Sequence, residues 1–153
     1  RLPMDLLASD IMTQTVTACV PDTRLEDVVK TLADSGISGM PVIDANQKVV
    51  GIISESDLLL ADEKEAPRMK TALFGFYILR ESVMDRMAEL RGVLAKDIMT
   101  KHVISFHPET PVREIASALA DRKINRAPIV DEAGKLVGIV SRADIIKAMA
   151  TTM

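Results

Sequence analysis

Gly51-Ile52-Ile53-Ser54-Glu55-Ser56-Asp57 is written again 87 residues later as Gly138-Ile139-Val140-Ser141-Arg142-Ala143-Asp144. Working outward at the same offset, the agreement holds without a gap. Pro41 and Asp44 meet Pro128 and Asp131, and Leu32-Ala33-Asp34 meets Leu119-Ala120-Asp121. Pro21 and Thr23 meet Pro108 and Thr110, and Asp10-Ile11-Met12-Thr13 meets Asp97-Ile98-Met99-Thr100. The chain is therefore one unit used twice, and its repeat has to be read before any single motif. A copy of about 50 residues is below the usual size of a self-sufficient domain, so each is expected to bury a face against the other.

Each copy carries the same punctuation. Val16 to Val20 is a short apolar run stopped by Pro21-Asp22 and reads as a strand. Thr23 suits an N-cap, and Leu25, Val28, Val29 and Leu32 then share one helical face. In the second copy Thr110 caps, Pro111 suits the first helical turn, and Val112, Ile115, Ala116 and Leu119 make the stripe. Two β-branched runs follow, Met40 to Ile43 and Val49 to Ser54, with Asp44-Ala45-Asn46-Gln47 between them. The second copy has Ala127 to Val130 and Leu136 to Ser141 around Asp131-Glu132-Ala133-Gly134, which also signals a hairpin. A helix opens at Glu55 and again at Arg142. The expected unit is strand, helix, strand, strand, helix: an α/β fold with a small three-stranded sheet and helices on one side.

Three segments are expected: a first motif over 8–60, an insert over 61–93 and a second motif over 94–150. Asp62-Glu63-Lys64-Glu65-Ala66-Pro67 reads as a linker, because it is polar and ends in a helix breaker. Beyond it lie Phe74, Phe76 and Tyr77, then Val83, Met84, Met87 and Leu90 at helical spacing. That pattern is too apolar for a solvated spacer. It fits a helix packed on its own module, or a cover for an interface or a ligand cleft.

Composition narrows the function. The hydrophobic fraction is 48% and the charged fraction 27%, as in an ordinary globular protein, with a core that must come from aliphatic side chains because aromatics are 3%. A net charge of −3 argues against non-specific nucleic-acid binding, which depends on neutralising phosphates. No run of about 18 apolar residues offers a membrane span. The opening residues do not read as a signal peptide, and Cys19, the only cysteine, allows no intrachain disulfide, so a cytoplasmic setting is expected. Cys19 lies in an apolar stretch, which favours a small buried side chain over a reactive thiol. A first residue of Arg1 fits a piece of a longer protein. The methionines are scattered as core packing requires, and His102 and His107 have no companion ligands, so no metal is expected. Neither a Ser/His/Asp nor a Cys/His arrangement is evident, nor a Gly-x-x-x-x-Gly-Lys loop, so no catalysis is expected.

The closing motif has its own chemistry. Ser at a strand end and Asp three residues on, in the first helical turn, present a hydroxyl and a carboxylate together. A carboxylate accepts two hydrogen bonds, which suits the vicinal hydroxyls of a ribose, and the free N–H groups of the helix start suit a phosphate. The same spacing is a variant of the capping box, which would hold the helix start with no ligand. Both roles can coexist.

Taken together, Asp-Ile-Met-Thr, Val-x-x-x-x-Pro-x-Thr, Pro-Val/Ile-Ile/Val-Asp and Gly-Ile-Ile/Val-Ser-x-x-Asp, in that order and twice, resemble the CBS domain, named for cystathionine β-synthase. The resemblance covers nearly the whole chain outside the insert. It implies tandem CBS domains related by a pseudo-twofold axis, often called a Bateman module, that commonly dimerises into a disc. It also implies a cleft for AMP, ADP, ATP, S-adenosylmethionine or a related nucleotide. The positions that match the family's ligand contacts are Thr17, Ala18, Ser38, Gly39, Met40, Pro41, Ser54 and Asp57 in the first copy. In the second they are Ser105, Asn125, Arg126, Ala127, Pro128, Ser141, Arg142 and Asp144. Asp57 and Asp144 are expected on ribose and Arg126 on phosphate, with Arg142 and Lys123 adding positive charge.

The copies are unequal. Gly39 stands for Arg126, Glu55 for Arg142 and Ala18 for Ser105, so one phosphate-competent site and one weaker or differently selective site are expected. The function implied is a non-catalytic sensor of an adenosine ligand, acting as a homodimer on a fused or separate enzyme or transporter. The alternative is a ligand-free dimerisation or interaction module.

Overall fold

A computed structural model of the chain describes residues 5–59, 88 and 90–151. Of the insert expected at 61–93, only 88 and 90–93 are among them, and Phe74, Phe76 and Tyr77 lie outside.

The first copy contributes α1 (Ala8–Ile11), α2 (Leu25–Ser35), β1 (Gly39–Ile43), β2 (Val49–Ser54) and α3 (Glu55–Leu59). The second gives α4 (Ala95–Ile98), α5 (Val112–Asp121), β3 (Arg126–Val130), β4 (Leu136–Ser141) and α6 (Arg142–Thr151). The stripes read from the sequence are the buried ones: Leu25, Val28 and Leu32 on α2, and Val112, Ile115 and Leu119 on α5. Val29 is an exception and stays exposed.

Three local expectations are corrected. Thr23 and Thr110 do not cap their helices. Their hydroxyls accept from the main-chain N–H groups of Val20 (3.0 Å) and His107 (3.1 Å), closing the turns at Pro21 and Pro108. The cap residues are Arg24 and Pro111, both extended, so Pro111 precedes the first helical turn. The reason is that Arg24 and Pro111 pair as β-bridges with Leu94 and Leu7, which holds them out of the helix. The third correction concerns the first strand of each copy, which is reduced to one parallel bridge, Cys19 with Val42 and Phe106 with Ile129. The proline two residues beyond each bridge leaves no room for a longer ladder. The described residues thus form two antiparallel two-stranded sheets, β1-β2 and β3-β4.

The chain divides into two compact units, and the division does not follow the repeat. One holds Arg1–Ala18, Ile43–Val50 and His102–Met153; the other holds Cys19–Val42 and Gly51–Lys101. Each Asp-Ile-Met-Thr leader therefore packs with the body of the opposite copy. In the first unit Ala8 joins Ile115, Leu119, Ala127, Ile129 and Val140 in one buried cluster. In the second the same six repeat positions, Ala95, Val28, Leu32, Met40, Val42 and Ile53, are all buried.

Hydrogen bonds explain why the motifs travel together. Thr110 and Pro108 carbonyls accept from the first N–H groups of α1, at Ala8 (2.8 Å) and Ser9 (2.9 Å). Thr23 and Pro21 carbonyls do the same for Ala95 (2.8 Å) and Lys96 (2.9 Å) of α4. The Pro-x-Thr turn is thus the acceptor for orphan donors of a leader helix. Asp10 and Asp97 complete each leader by accepting from the N–H of Leu7 (2.8 Å) and Leu94 (3.0 Å). Hairpin turns are held alike: Asp44 Oδ1 accepts from Asn46 and Lys48 N–H, and Asp131 Oδ1 from Ala133 and Lys135 N–H, all within 2.8–2.9 Å.

Candidate functional site

In the first unit β4 ends at Ser141 and α6 begins at once, so the strand delivers Ser141 to the helix start that carries Asp144. Asp144 Oδ2 accepts from the Ser141 main-chain N–H (2.8 Å) and hydroxyl (3.0 Å). The Ser141 hydroxyl in turn stands 3.2 Å from the Asp144 N–H. This is the reciprocal cap that the spacing allowed. It also fixes the carboxylate: both hydrogen bonds that the Asp144 carboxylate accepts among the described residues run through Oδ2, and Oδ1 keeps its lone pairs. Arg126 opens β3 directly opposite Ser141 in the ladder and is half-buried.

Arg142, one residue past Ser141, has a structural role. Its Nε donates to the Ile124 carbonyl (3.0 Å) and its Nη2 to the Leu119 carbonyl (3.2 Å), at the C-terminal end of α5. A cation there meets the helix-end carbonyls, of which Leu119 also accepts from the Ile124 N–H (3.1 Å), and the negative end of the helix dipole. The charge expected to assist a phosphate is thus already engaged by main-chain acceptors. Lys123, the other expected cation, is exposed and sits at φ 54°.

In the second unit Ser54 and Asp57 repeat the arrangement. Asp57 Oδ2 accepts from Ser54 N–H (2.9 Å) and hydroxyl (3.3 Å). Here a further side chain intervenes: the Thr100 hydroxyl lies 3.5 Å from Asp57 Oδ1. Glu55 keeps its main-chain bond to the Ser38 carbonyl (3.0 Å), as Arg142 does to Asn125 (2.9 Å), but a carboxylate cannot reproduce the guanidinium clamp.

The remaining candidates separate by exposure. Thr17, Ser105 and Asn125 are exposed, while Ala18 and Ser38 are half-buried. Gly39 opens β1 and is buried. Met40, Pro41, Ala127 and Pro128 are buried as well, so their side chains pack in the core. Thr17, Ala18, Ser105, Asn125, Arg126, Ser141 and Asp144 lie in the first unit, and Ser38, Gly39, Ser54 and Asp57 in the second. Thr100 escapes a reading of the sequence. No local signal marks it, because its link to Asp57 depends on which copy the leader packs against. Cys19 is buried, and desolvation pushes its thiol up to about 11, against a main-chain hydrogen bond that lowers it, which suits a packing residue. Among the described residues no group of three His, Cys, Asp or Glu side chains could hold a metal, and no helix is long and apolar enough to cross a membrane.

A family model described as CBS domain matches residues 8–64 and 95–151. The chain belongs to the CBS-domain family.

This CBS pair is similar to an uncharacterized protein, MJ1426, of Methanocaldococcus jannaschii, with 32% identity over 163 aligned positions covering 94% of this chain and 91% of that protein. It is also 31% identical to the chloroplastic CBS domain-containing protein CBSX2 of Arabidopsis thaliana, over 91% of this chain but 61% of that one. The solved structure of CBSX2 matches at a TM-score of 0.78, with 26% identity and 95% of both chains covered. CBSX2 in complex with AMP matches at 0.74, with 27% identity over 95% of this chain and 97% of that one. The tandem α/β architecture expected from the repeat is thereby established.

Proposed function

We propose that this CBS pair is a regulatory module that binds an adenosine ligand and performs no chemistry of its own. The observation that carries the reading is the Asp144 carboxylate. Ser141 pins it through one oxygen, while the other is left to accept ribose hydroxyls. Arg126, opposite Ser141, supplies positive charge for a phosphate, which favours AMP, ADP or ATP over S-adenosylmethionine. The AMP complex of CBSX2 supports the same ligand class. Occupancy acts by population shift: a ligand that prefers one arrangement of the protein draws it there, by no more than its difference in affinity for the two states. The partner that reads this change is a fused or separate enzyme or transporter. Exposed Ile146 and Met149 on α6 give the chain an apolar face suited to a homodimer.

The Ser141–Asp144 cap by itself would equally serve a ligand-free interaction module, and calorimetry separates the two. The chain is titrated with AMP, ADP, ATP, S-adenosylmethionine and GTP. Saturable binding of an adenosine ligand, weakened by about 1.5–3 kcal/mol in Asp144→Ala, supports the sensor. A folded, nucleotide-free chain that binds none of them sinks it. If Asp144→Ala costs about 1 kcal/mol of stability and leaves affinity alone, Asp144 is only a cap.

A further inference from the structure

We infer that Arg142 positions the segment 123–126 for a phosphate without taking the phosphate itself, an inference that rests on the adenosine reading above. α5 hands over to β3 through residues 122–125, and the turn between them is left-handed. Lys123 sits at φ 54°; its N–H donates to the Ala120 carbonyl (3.3 Å), and the Ile124 N–H donates to the Leu119 carbonyl (3.1 Å). The first copy makes the same turn with glycine. Gly36 (φ 63°) donates to the Ala33 carbonyl (3.4 Å) and Ile37 to the Leu32 carbonyl (3.2 Å). Glycine adopts this conformation freely, whereas the Cβ of a lysine is strained in it.

The copy that carries the strained residue also carries the clamp. Arg142 ties down the chain on both sides of Lys123: Nη2 donates to the Leu119 carbonyl before it (3.2 Å) and Nε to the Ile124 carbonyl after it (3.0 Å). The Arg142 main-chain N–H adds the Asn125 carbonyl (2.9 Å). Glu55, at the repeat-equivalent position, shares the main-chain bond, to the Ser38 carbonyl (3.0 Å), but its carboxylate has no donor for a clamp. Where the turn residue is Gly36, none is needed. With Nε and Nη2 given to carbonyls at the end of α5, the guanidinium is oriented by the turn and not by a ligand.

The turn matters to the site because Arg126 follows it directly. Arg126 is the ladder partner of Ser141, and Ser141 caps Asp144. Arg142 therefore holds the main chain that carries the phosphate residue against the helix start that carries the ribose residue. Without the clamp, Lys123 leaves the left-handed region part of the time. Apparent affinity for a phosphate then falls in proportion to the fraction of chains whose turn is competent. Asp144 is held separately, by Ser141, so ribose recognition does not share the loss.

The test reads the phosphate's contribution as the ratio of AMP to adenosine affinity, by calorimetry on the full chain. Arg142→Ala should lower that ratio about fivefold, through AMP, and leave adenosine within about twofold. Adding Lys123→Gly should restore the ratio to within about twofold of the unaltered chain, because glycine holds the turn without a clamp. In an Arg126→Ala background, Arg142→Ala should change the ratio by less than about twofold, since Arg126 is what the turn presents to the phosphate. Thermal melts check that each variant is folded, and Arg142→Gln stands in if the alanine variant unfolds. An unchanged ratio in Arg142→Ala, an equal loss of adenosine affinity, or no rescue by Lys123→Gly overturns the positioning role alone. So does a full effect in the Arg126→Ala background, which would make Arg142 a direct phosphate ligand. No AMP binding by the unaltered chain overturns the adenosine reading with it.

Discussion

Met12 lies with its sulfur over Gly138, and Met99 lies the same way over Gly51, so closely that a Cβ on either glycine would collide with the sulfur and the adjoining methylene. The Met of each leader and the Gly of each closing motif are thus one contact, made between segments far apart in sequence. Thr13 and Thr100, one residue on, pair with Ile139 and Ile52 and lock the register. Gly138→Ala and Gly51→Ala should each destabilise the chain by about 1–3 kcal/mol, the usual cost of overpacking. Denaturant unfolding measures the loss. In a double-mutant cycle Met12→Ala should recover part of the Gly138→Ala penalty and none of the Gly51→Ala penalty.

The backbone enters the left-handed region at repeat-equivalent positions, but the copies spend their glycines differently. Gly36 (φ 63°) ends α2 and Lys123 (φ 54°) ends α5; Gln47 (φ 66°) turns the first hairpin and Gly134 (φ 84°) the second. Nothing lies within 4 Å of a Cβ built on Gly36 or Gly134, so the effect of a side chain there is conformational and not steric. Lys123→Gly and Gln47→Gly should therefore stabilise by up to about 1 kcal/mol, and Gly36→Ala and Gly134→Ala should destabilise by about 1–2 kcal/mol. Thermal melts of the four variants settle it; a loss of stability on Lys123→Gly would mean that the lysine makes a contact worth more than its strain.

Much of this was legible in the sequence. Periodicity placed α2 and α5, and Asp44 and Asp131 marked their hairpins, because those signals depend on neighbours a few residues away. The Ser-x-x-Asp spacing announced its cap for the same reason. The pairing of leaders with bodies was hidden. Ala8 reads as part of the first copy and is buried in the cluster of the second, and no local pattern records such an exchange. Arg142 shows the limit for charge: its sign was plain, but its partners, the carbonyls of Leu119 and Ile124, are set by tertiary placement.

That placement gives Arg142 a measurable role. Arg142→Gln removes a charged donor from the end of α5 and should cost about 1 kcal/mol of stability, within the range for a cation at a helix C-terminus and a charge-assisted hydrogen bond. Glu55→Gln, at the repeat-equivalent position without a clamp, should be close to neutral. Equal losses in the two variants, read from urea midpoints at matched ionic strength, would remove the clamp as the explanation.

Cys19 supplies the pH dependence. Its folded pKa is about 11, raised by burial above the ordinary thiol value of 9.0. Between those two values the native state keeps the proton and the unfolded chain releases it. The unfolded state then binds fewer protons, and stability falls as pH rises. The contribution is complete below the ordinary thiol value and is lost as pH climbs to about 11. Each pH step of one across that interval removes up to about 1.4 kcal/mol. Wild type should therefore lose about 2 kcal/mol more than Cys19→Ala between the two values, while the two fall in parallel at lower pH. Urea unfolding at closely spaced pH values under reducing conditions reads the difference. Parallel curves through the whole interval would show that the thiolate is solvated in the folded chain and that the packing around Cys19 opens to admit water.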